Sequence, residues 1–317
     1  MYQKAIPVLM RAISSMHVGC GQDLGIVDLP IQRESHTGFP KIESSGLKGC
    51  FRETFELSAE SEEAEINIQR VFGYDQNSLY HYAKASKVEE QFKDHVQYAG
   101  ALGFTDGRIL LFPVRSLQGV FAWATCPRVL ERFAEELGIC GMDGTTFDFK
   151  EKPSSQKAYC STESVLMTNK EHGQIILEDY SFEAEVSGEV DRMATRLSEQ
   201  LDKPHLAQRL IVVSDDDFVD FVTMHTEVIT RTKINNATGT VQNGALFTEE
   251  YLPSETVMYT LALISPTFLA GSALEQWDAG QVEDFFRSGL KENRTVIQIG
   301  SGATIGKGLT EVSVFQA

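Results

Sequence analysis

Three groups of residues carry types and spacings that could do chemistry. The first is the stretch VDLPIQRESHTGFPKIESSGLKGCFRE at 27–53. Asp28 follows a glycine loop, Gly19-x-Gly21-x-x-x-Gly25, and precedes Pro30, so it lies on irregular backbone at the end of an element. A carboxylate so placed either caps a loop or serves catalysis, and the residue alone does not choose between them. Ser44, Ser45 and Gly46 open a helix, with Lys48 in its first turn. A helix N-terminus with Ser, Gly and Lys is a ready phosphate cradle. Lys48 opposes the helix dipole there, which leaves it without a folding role and points to function. Arg33 and Arg52 add cationic groups nearby in sequence. The second group is GSGATIGKG at 300–308. Gly300, Gly302, Gly306 and Gly308 let the backbone approach a partner, and their N–H groups can form an anion nest; plain turns explain the same glycines equally well. The third is the run Asp215, Asp216 and Asp217 after Ser214, which reads as first-turn acids behind an N-cap before it reads as a metal site.

Two nucleotide-binding motifs fail on inspection. The first glycine loop is one residue too long for GxGxxG, and Pro30 follows where a helix would have to start. The second has Ser301 and Gly308 where a P-loop needs Gly and a magnesium-binding hydroxyl, and only nine residues follow it. The five cysteines include no CxxC pair, which fits free thiols in a reducing, cytoplasmic setting and not structural zinc.

The elements that must position these residues follow from hydrophobic period. Residues 4–17 read as a first strand and 45–59 as a helix with an apolar stripe of Leu47, Cys50, Phe51, Phe55 and Leu57. Buried strands are expected at 107–114 and 118–126, followed by a helix from Pro127 to about Leu137. Residues 173–187 alternate as a strand or hairpin, Ser214 caps a helix at 215–224, and 226–252 forms a long β-hairpin turning at Asn235, Asn236 and Gly239. A strand at 257–264, an amphipathic helix at 278–292 and a last strand at 295–299 lead into the second glycine loop. This β-α-β-β-α-β order with long insertions suits an α+β, ferredoxin-like core in one domain over 1–317. No stretch is long and apolar enough for a membrane span, and the apolar run after Lys4 stops at Arg11, short of a secretory h-region.

The 317 residues carry 28 Lys and Arg against 45 Asp and Glu, a net charge of −17. That total opposes nucleic-acid binding in general. The charge is uneven, however: residues 1–120 carry 12 basic and 15 acidic groups, and residues 121–317 carry 16 and 30. A local basic groove in the near-neutral N-terminal part remains open to an anionic polymer.

At residues 27–53 the chain resembles the RAMP superfamily of CRISPR proteins, and within it the repeated backbone subunit of the type III-B (Cmr) effector complex. The matching pieces are 17–55, 103–133, GALFTEEYLP at 244–253 and IQIGSGATIGKG at 297–308. The family reads close to PGSSLKG before the first helix; here Glu43 opens ESSGLKG, which would weaken local attraction for phosphate. The segment 139–210 matches no part of the family pattern. The resemblance implies an RRM-like palm with an inserted β-hairpin thumb, for which 226–252 is the candidate. It implies copies of the chain stacked along CRISPR RNA beside other subunits of the complex. Each copy would kink the guide and cut the paired target RNA. By motif match the catalytic acid falls on Asp28, with His17, Glu249 and Tyr251 placed near the cut by their segments. Arg33, Ser45, Gly46, Lys48 and Arg52, with Gly300, Gly302, Gly306 and Lys307, would hold RNA backbone.

RNA supplies its own nucleophile, the 2′-OH, so a single acid suffices where a two-metal nuclease needs a cluster. Asp28 would bind a divalent metal, Mg²⁺ or Mn²⁺, or accept the 2′-OH proton. Two other readings compete. A guide-binding scaffold of the same fold would do without an acid at this point, and a CRISPR RNA-processing enzyme would act through His, Tyr or Lys.

Overall fold

A computed structural model of the chain describes residues 2–23, 25–75, 97–150, 152–169, 173–268, 275–290 and 295–316. The N-terminal half comprises β1 (Lys4–Ala12), β2 (Lys41–Ile42), α1 (Ser44–Leu57), α2 (Glu62–Phe72), β3 (Gly73–Asp75), β4 (Gln97–Ala99), β5 (Leu102–Phe104), β6 (Gly107–Arg115), β7 (Phe121–Thr125) and α3 (Pro127–Ile139). There follow β8 (Lys157–Cys160), β9 (Met167–Asn169), β10 (Gln174–Leu177), β11 (Tyr180–Val186), α4 (Gly188–Leu201), α5 (Leu206–Arg209), β12 (Leu210–Val213), α6 (Asp215–Met224), β13 (Glu227–Ile234) and β14 (Val241–Tyr251). The chain closes with β15 (Val257–Ile264), α7 (Ala279–Gly289), β16 (Thr295–Gln298) and β17 (Leu309–Val314).

The mixed α and β elements build a 13-stranded sheet, whose main path runs β16-β17-β1-β15-β6-β7-β12-β8-β11-β10-β9. β1 lies between β15 and β17, antiparallel to both, and β15 is antiparallel to β6. The helices α1 and α7 pack together over this part. Leu47, Phe51 and Phe55 recur every four residues on α1, and Val282 and Phe286 do so on α7. Phe51 stacks on Phe104 at 4.7 Å, and Phe286 meets Phe51 at 5.7 Å. Offset and edge contacts of this kind add to simple area burial. Leu57, counted above in the apolar stripe, instead stands 80% exposed in the last turn.

The first strand stops at Ala12, not His17. Residues 13–17 leave the sheet to bond elsewhere: Gly308 N–H donates to Ser15 O and Ser301 N–H to His17 O. The strand expected at 118–126 starts at Phe121, because residues 116–120 turn, with Val120 at φ 75°. The helix from Pro127 runs two residues past Leu137. The helix expected through Glu292 is described to Gly289, and residues 291–292 lie outside the described residues.

The segment 139–210, silent in sequence, extends the sheet. β12 joins it parallel to β7 and antiparallel to β8, and β11 and β10 form the hairpin read at 173–187. Two of the three aspartates after Ser214, Asp215 and Asp217, work in capping. Ser214 Oγ accepts from Asp217 N–H at 3.1 Å, Asp217 Oδ2 accepts from Ser214 Oγ at 2.5 Å, and Asp215 Oδ1 caps α3 through Arg128 N–H at 2.9 Å.

β13 and β14 pair only with each other within the strand set, from Glu227–Tyr251 to Ile234–Val241. Asn235 Oδ1 accepts from Ala237 N–H, and Gly239 takes the left-handed turn position. Most of β13 is exposed, including Val228, Ile229 and Ile234, so this hairpin stands off the core.

Candidate active site

The root of the hairpin organises the site. Four consecutive residues of β14, Thr248 to Tyr251, send alternate side chains to opposite faces, as a strand must. Thr248 and Glu250 hold the segment carrying Asp28. Leu29 bridges Glu249 in parallel register, so this segment runs as a short extra strand beside β14. Thr248 N–H and Oγ donate to Asp28 Oδ2 at 2.7 and 2.8 Å, and Asp28 N–H donates to Thr248 Oγ at 3.0 Å. The Thr248 amide and hydroxyl hold the Asp28 carboxyl below the usual carboxylate range, although it is exposed. Asp28 Oδ1 has no hydrogen-bond partner among the described residues. A cleft of about 770 Å³ opens beside it, lined by Gln22, Asp28, Leu29, Gly244, Leu246 and Phe247 among others.

Glu250 secures the other end of the same segment. Its buried carboxylate accepts from Ile31 N–H at 3.0 Å, Arg33 at 2.5 Å and Thr226 Oγ at 2.7 Å. Arg33 also donates to the carbonyls of Gly38 and Val222. Its guanidinium is thereby committed to the fold around the site.

Glu249 and Tyr251 face the other way, towards His17. Tyr251 Oη donates to Glu249 Oε2 at 2.6 Å, and Arg231, reaching across from β13, donates to the same oxygen at 2.7 Å. His17 Nε2 lies 3.7 Å from Glu249 Oε1, while its Nδ1 is 2.6 Å from Glu250 O. Burial pushes the Glu249 carboxyl up, but the Tyr251 and Arg231 hydrogen bonds outweigh it and leave the group below its ordinary value. Burial and the Glu249 charge push the Tyr251 hydroxyl up. Lys307 reaches this cluster from the glycine loop, with Nζ 4.6 Å above the Tyr251 ring and 2.5 Å from Ser15 Oγ.

The loop 300–308 needs its glycines at two points in particular. A Cβ on Gly300 would collide with His17 O, and one on Gly308 with Ile299 O, and both residues have positive φ, at 81° and 76°. The loop is therefore seated on the segment that carries His17. Burial raises the pKa of the Cys50 thiol on α1, and the Gly300 backbone opposes that rise. α1 has no acid in its first turn and no side-chain cap. Ser44 N–H goes to Asp106 Oδ1 and Leu47 N–H to Glu43 O, which leaves the N–H groups of Ser45 and Gly46 without partners among the described residues. Lys48 is half-buried with no hydrogen bond or ion pair to a described residue, and burial followed by the Arg52 charge pushes its pKa down. Lys41 pairs with Glu43 at 2.5 Å and with Asp106 at 3.3 Å, so the acid that departs from the family pattern shares its one cation with a second acid.

His17, Glu249, Tyr251, Lys307 and the glycine loop thus meet on one face of β14 at the hairpin root, and Asp28 is held by Thr248 on the other; Ser45, Gly46 and Lys48 lie in the first turns of α1. Arg52 is turned inward: it donates to Glu56, Gln69 and the Gly73 carbonyl. Sequence reasoning missed Thr248, Glu250 and Arg231. The signal was present in TEEY at 248–251, where strand alternation separates the two acids onto opposite faces. No group of three or more His, Cys, Asp or Glu able to hold a metal occurs among the described residues.

A mixed α/β sheet with a glycine loop seated against a long hairpin, and an exposed Asp28 fixed at the root of that hairpin, defines the class of fold to compare. The RAMP superfamily model matches residues 9–311, and the chain belongs to that family. It is 33% identical, over 98% of its length and 96% of the relative's, to the CRISPR system Cmr endoribonuclease Cmr4 of Pyrococcus furiosus. The crystal structure of oligomeric Cmr4 from Pyrococcus furiosus superposes with a TM-score of 0.69 at 27% identity, covering 99% of this chain and 98% of that one. A type III-B Cmr-beta chain, from a cryo-EM structure bound to cognate target RNA, shares the fold with a TM-score of 0.72 at 20% identity, over 99% and 98% of the two chains.

Proposed function

We propose that this chain is the repeated backbone subunit of a type III-B CRISPR effector complex, where it binds CRISPR RNA along a filament and cleaves the complementary target RNA at regular intervals. The observation that carries the reading is the Asp28 carboxylate fixed by Thr248 at the root of an exposed hairpin, in a chain 33% identical to a named Cmr endoribonuclease. The order β1, α1, β6, β15, α7, β17 with spatial order β17-β1-β15-β6 supports a ferredoxin-like palm. β13 and β14 form the thumb inserted into it. The partners are CRISPR RNA, target RNA, further copies of the chain and other subunits of the complex. Among the described residues no helix is long and apolar enough to cross a membrane, and the proposed setting is the cytoplasm.

The chemistry follows from positioning. The thumb splays one target nucleotide so that its 2′-OH lines up with the adjacent phosphate, an arrangement that a stacked duplex forbids. The guide backbone rests on Ser45, Gly46 and Lys48, and the loop at 300–308 takes the neighbouring phosphates through its N–H groups. Asp28 presents Oδ1 to the cleft. Its lowered pKa makes it a weak proton acceptor, so it acts as a fixed negative charge and ligand more than as a general base. One exposed, singly occupied carboxylate fits Mg²⁺ or Mn²⁺, which keep most of their waters and take one or two carboxylates plus substrate phosphate. Asp28 would hold that ion, which when bound supplies charge stabilisation at the scissile phosphate. His17, Glu249 and Tyr251 form a connected set on the other face of β14. The test is target cleavage by the assembled complex: Asp28→Asn abolishes the product ladder while guide binding persists. An unchanged ladder would favour the scaffold reading.

A further inference from the structure

We infer that Thr248 is the positioning residue for Asp28: its hydroxyl and amide fix which carboxylate oxygen is spent on the protein and which faces the target RNA. The inference rests on the function proposed above. Three hydrogen bonds join these two residues, separated by 220 positions in sequence, and a fourth, from Leu29 N–H to Thr248 O at 3.0 Å, fixes the backbone beside them. The hydroxyl donates to Oδ2 and accepts from the Asp28 amide at once, a double role that only Ser or Thr fills in that space. An exposed carboxylate gains little net stability from such bonds, because water competes for them. Their effect is orientational: Oδ2 is saturated, and Oδ1 alone is left towards the cleft. Thr248 also sits at the base of the hairpin. Any movement of the thumb relative to the palm is passed directly to the acid.

The experiment compares five chains: wild type, Asp28→Asn, Thr248→Val, Thr248→Ser and the Asp28→Asn/Thr248→Val double variant, the first four in the complex assembled with CRISPR RNA. Val keeps the shape and β-branching of Thr and removes only the hydroxyl. Thr248→Val is expected to lower the single-turnover cleavage rate at saturating target by about 10–100-fold, as loss of an orienting partner does, with target affinity unchanged. Thr248→Ser restores most of the rate. A readout independent of activity accompanies these: thermal unfolding of the guide-free chain in the same mutant cycle, in which the two substitutions are non-additive. Wild-type cleavage by Thr248→Val, with Asp28→Asn inactive, overturns the inference and spares the functional reading. Loss of target binding together with rate in Thr248→Val, not rescued by Ser, reduces Thr248 to a fold residue and also overturns it. Retained cleavage in Asp28→Asn overturns the functional reading itself.

Discussion

At the scale of single residues, the site separates groups that the fold has used up from groups that it leaves free. Arg33 and Arg52 look like RNA ligands in sequence, yet each makes three hydrogen bonds within the protein. Lys48 looks similar and is the opposite case: half-buried, unpaired among the described residues, and with its pKa pushed down by burial. A lysine whose folded pKa lies below its unfolded value binds fewer protons when folded, so stability rises with pH between those two values and is reduced at neutral pH. Lys48→Met should therefore raise the thermal midpoint of the guide-free chain at pH 7, by about 1–2 °C, while weakening CRISPR RNA binding. A fall in both would contradict a functional role. Glu249 and Asp28 carry the other sign. Their folded pKa values are depressed, so what they contribute is present above the ordinary carboxylate range and is lost as pH falls through the folded values. Between pH 6 and 8 neither acid changes charge, and cleavage in that window should show no inflection attributable to Asp28.

At the scale of elements, β14 is the part that joins fold to chemistry. Glu250 is buried, and removing its charge leaves Arg33 without its carboxylate partner. Glu250→Ala should destabilise the chain by about 2–4 kcal/mol in a urea titration, below the full cost for a buried pair because Arg33 is partly exposed. Gly300→Ala meets both a left-handed φ and the His17 carbonyl. It should cost at least about 1 kcal/mol by the same measurement, and it should disturb the seat of the glycine loop. Most elements were legible in the sequence. The strand at 257–264 and the helix at 215–224 fall where period and capping put them, since apolar pattern and Ser214 dictate both. The end of β1 was not legible. Residues 13–17 have strand-like composition but bond the glycine loop, nearly 300 residues away, which no local pattern encodes. The Asp28–Thr248 clamp is hidden for the same reason. The internal bonds of Arg52 were not legible either, because its partners Gln69 and Gly73 come from a later helix and strand that fold back on α1.

At the scale of the whole molecule, the charge distribution and the assembly have to be reconciled. A chain of net charge −17 binds a polyanion only through a confined surface. The proposed surface is confined: the α1 N-terminus, where Lys41 is shared by Glu43 and Asp106, the loop at 300–308 and the hairpin root. Guide affinity should accordingly fall with salt, with a log–log slope of about −0.7 for each phosphate neutralised, and Lys48→Met should make that slope shallower. A salt-independent affinity would place the guide elsewhere. In the proposed assembly the regular interval of cleavage would be a property of the stacked copies, each contributing one Asp28. The most direct test of the account is therefore target-RNA cleavage by complexes assembled with wild-type chain or Asp28→Asn, in Mg²⁺ or Mn²⁺. The account predicts an evenly spaced product ladder for the wild type and none for the variant, with CRISPR RNA and target still bound. The same ladder from both complexes would contradict it.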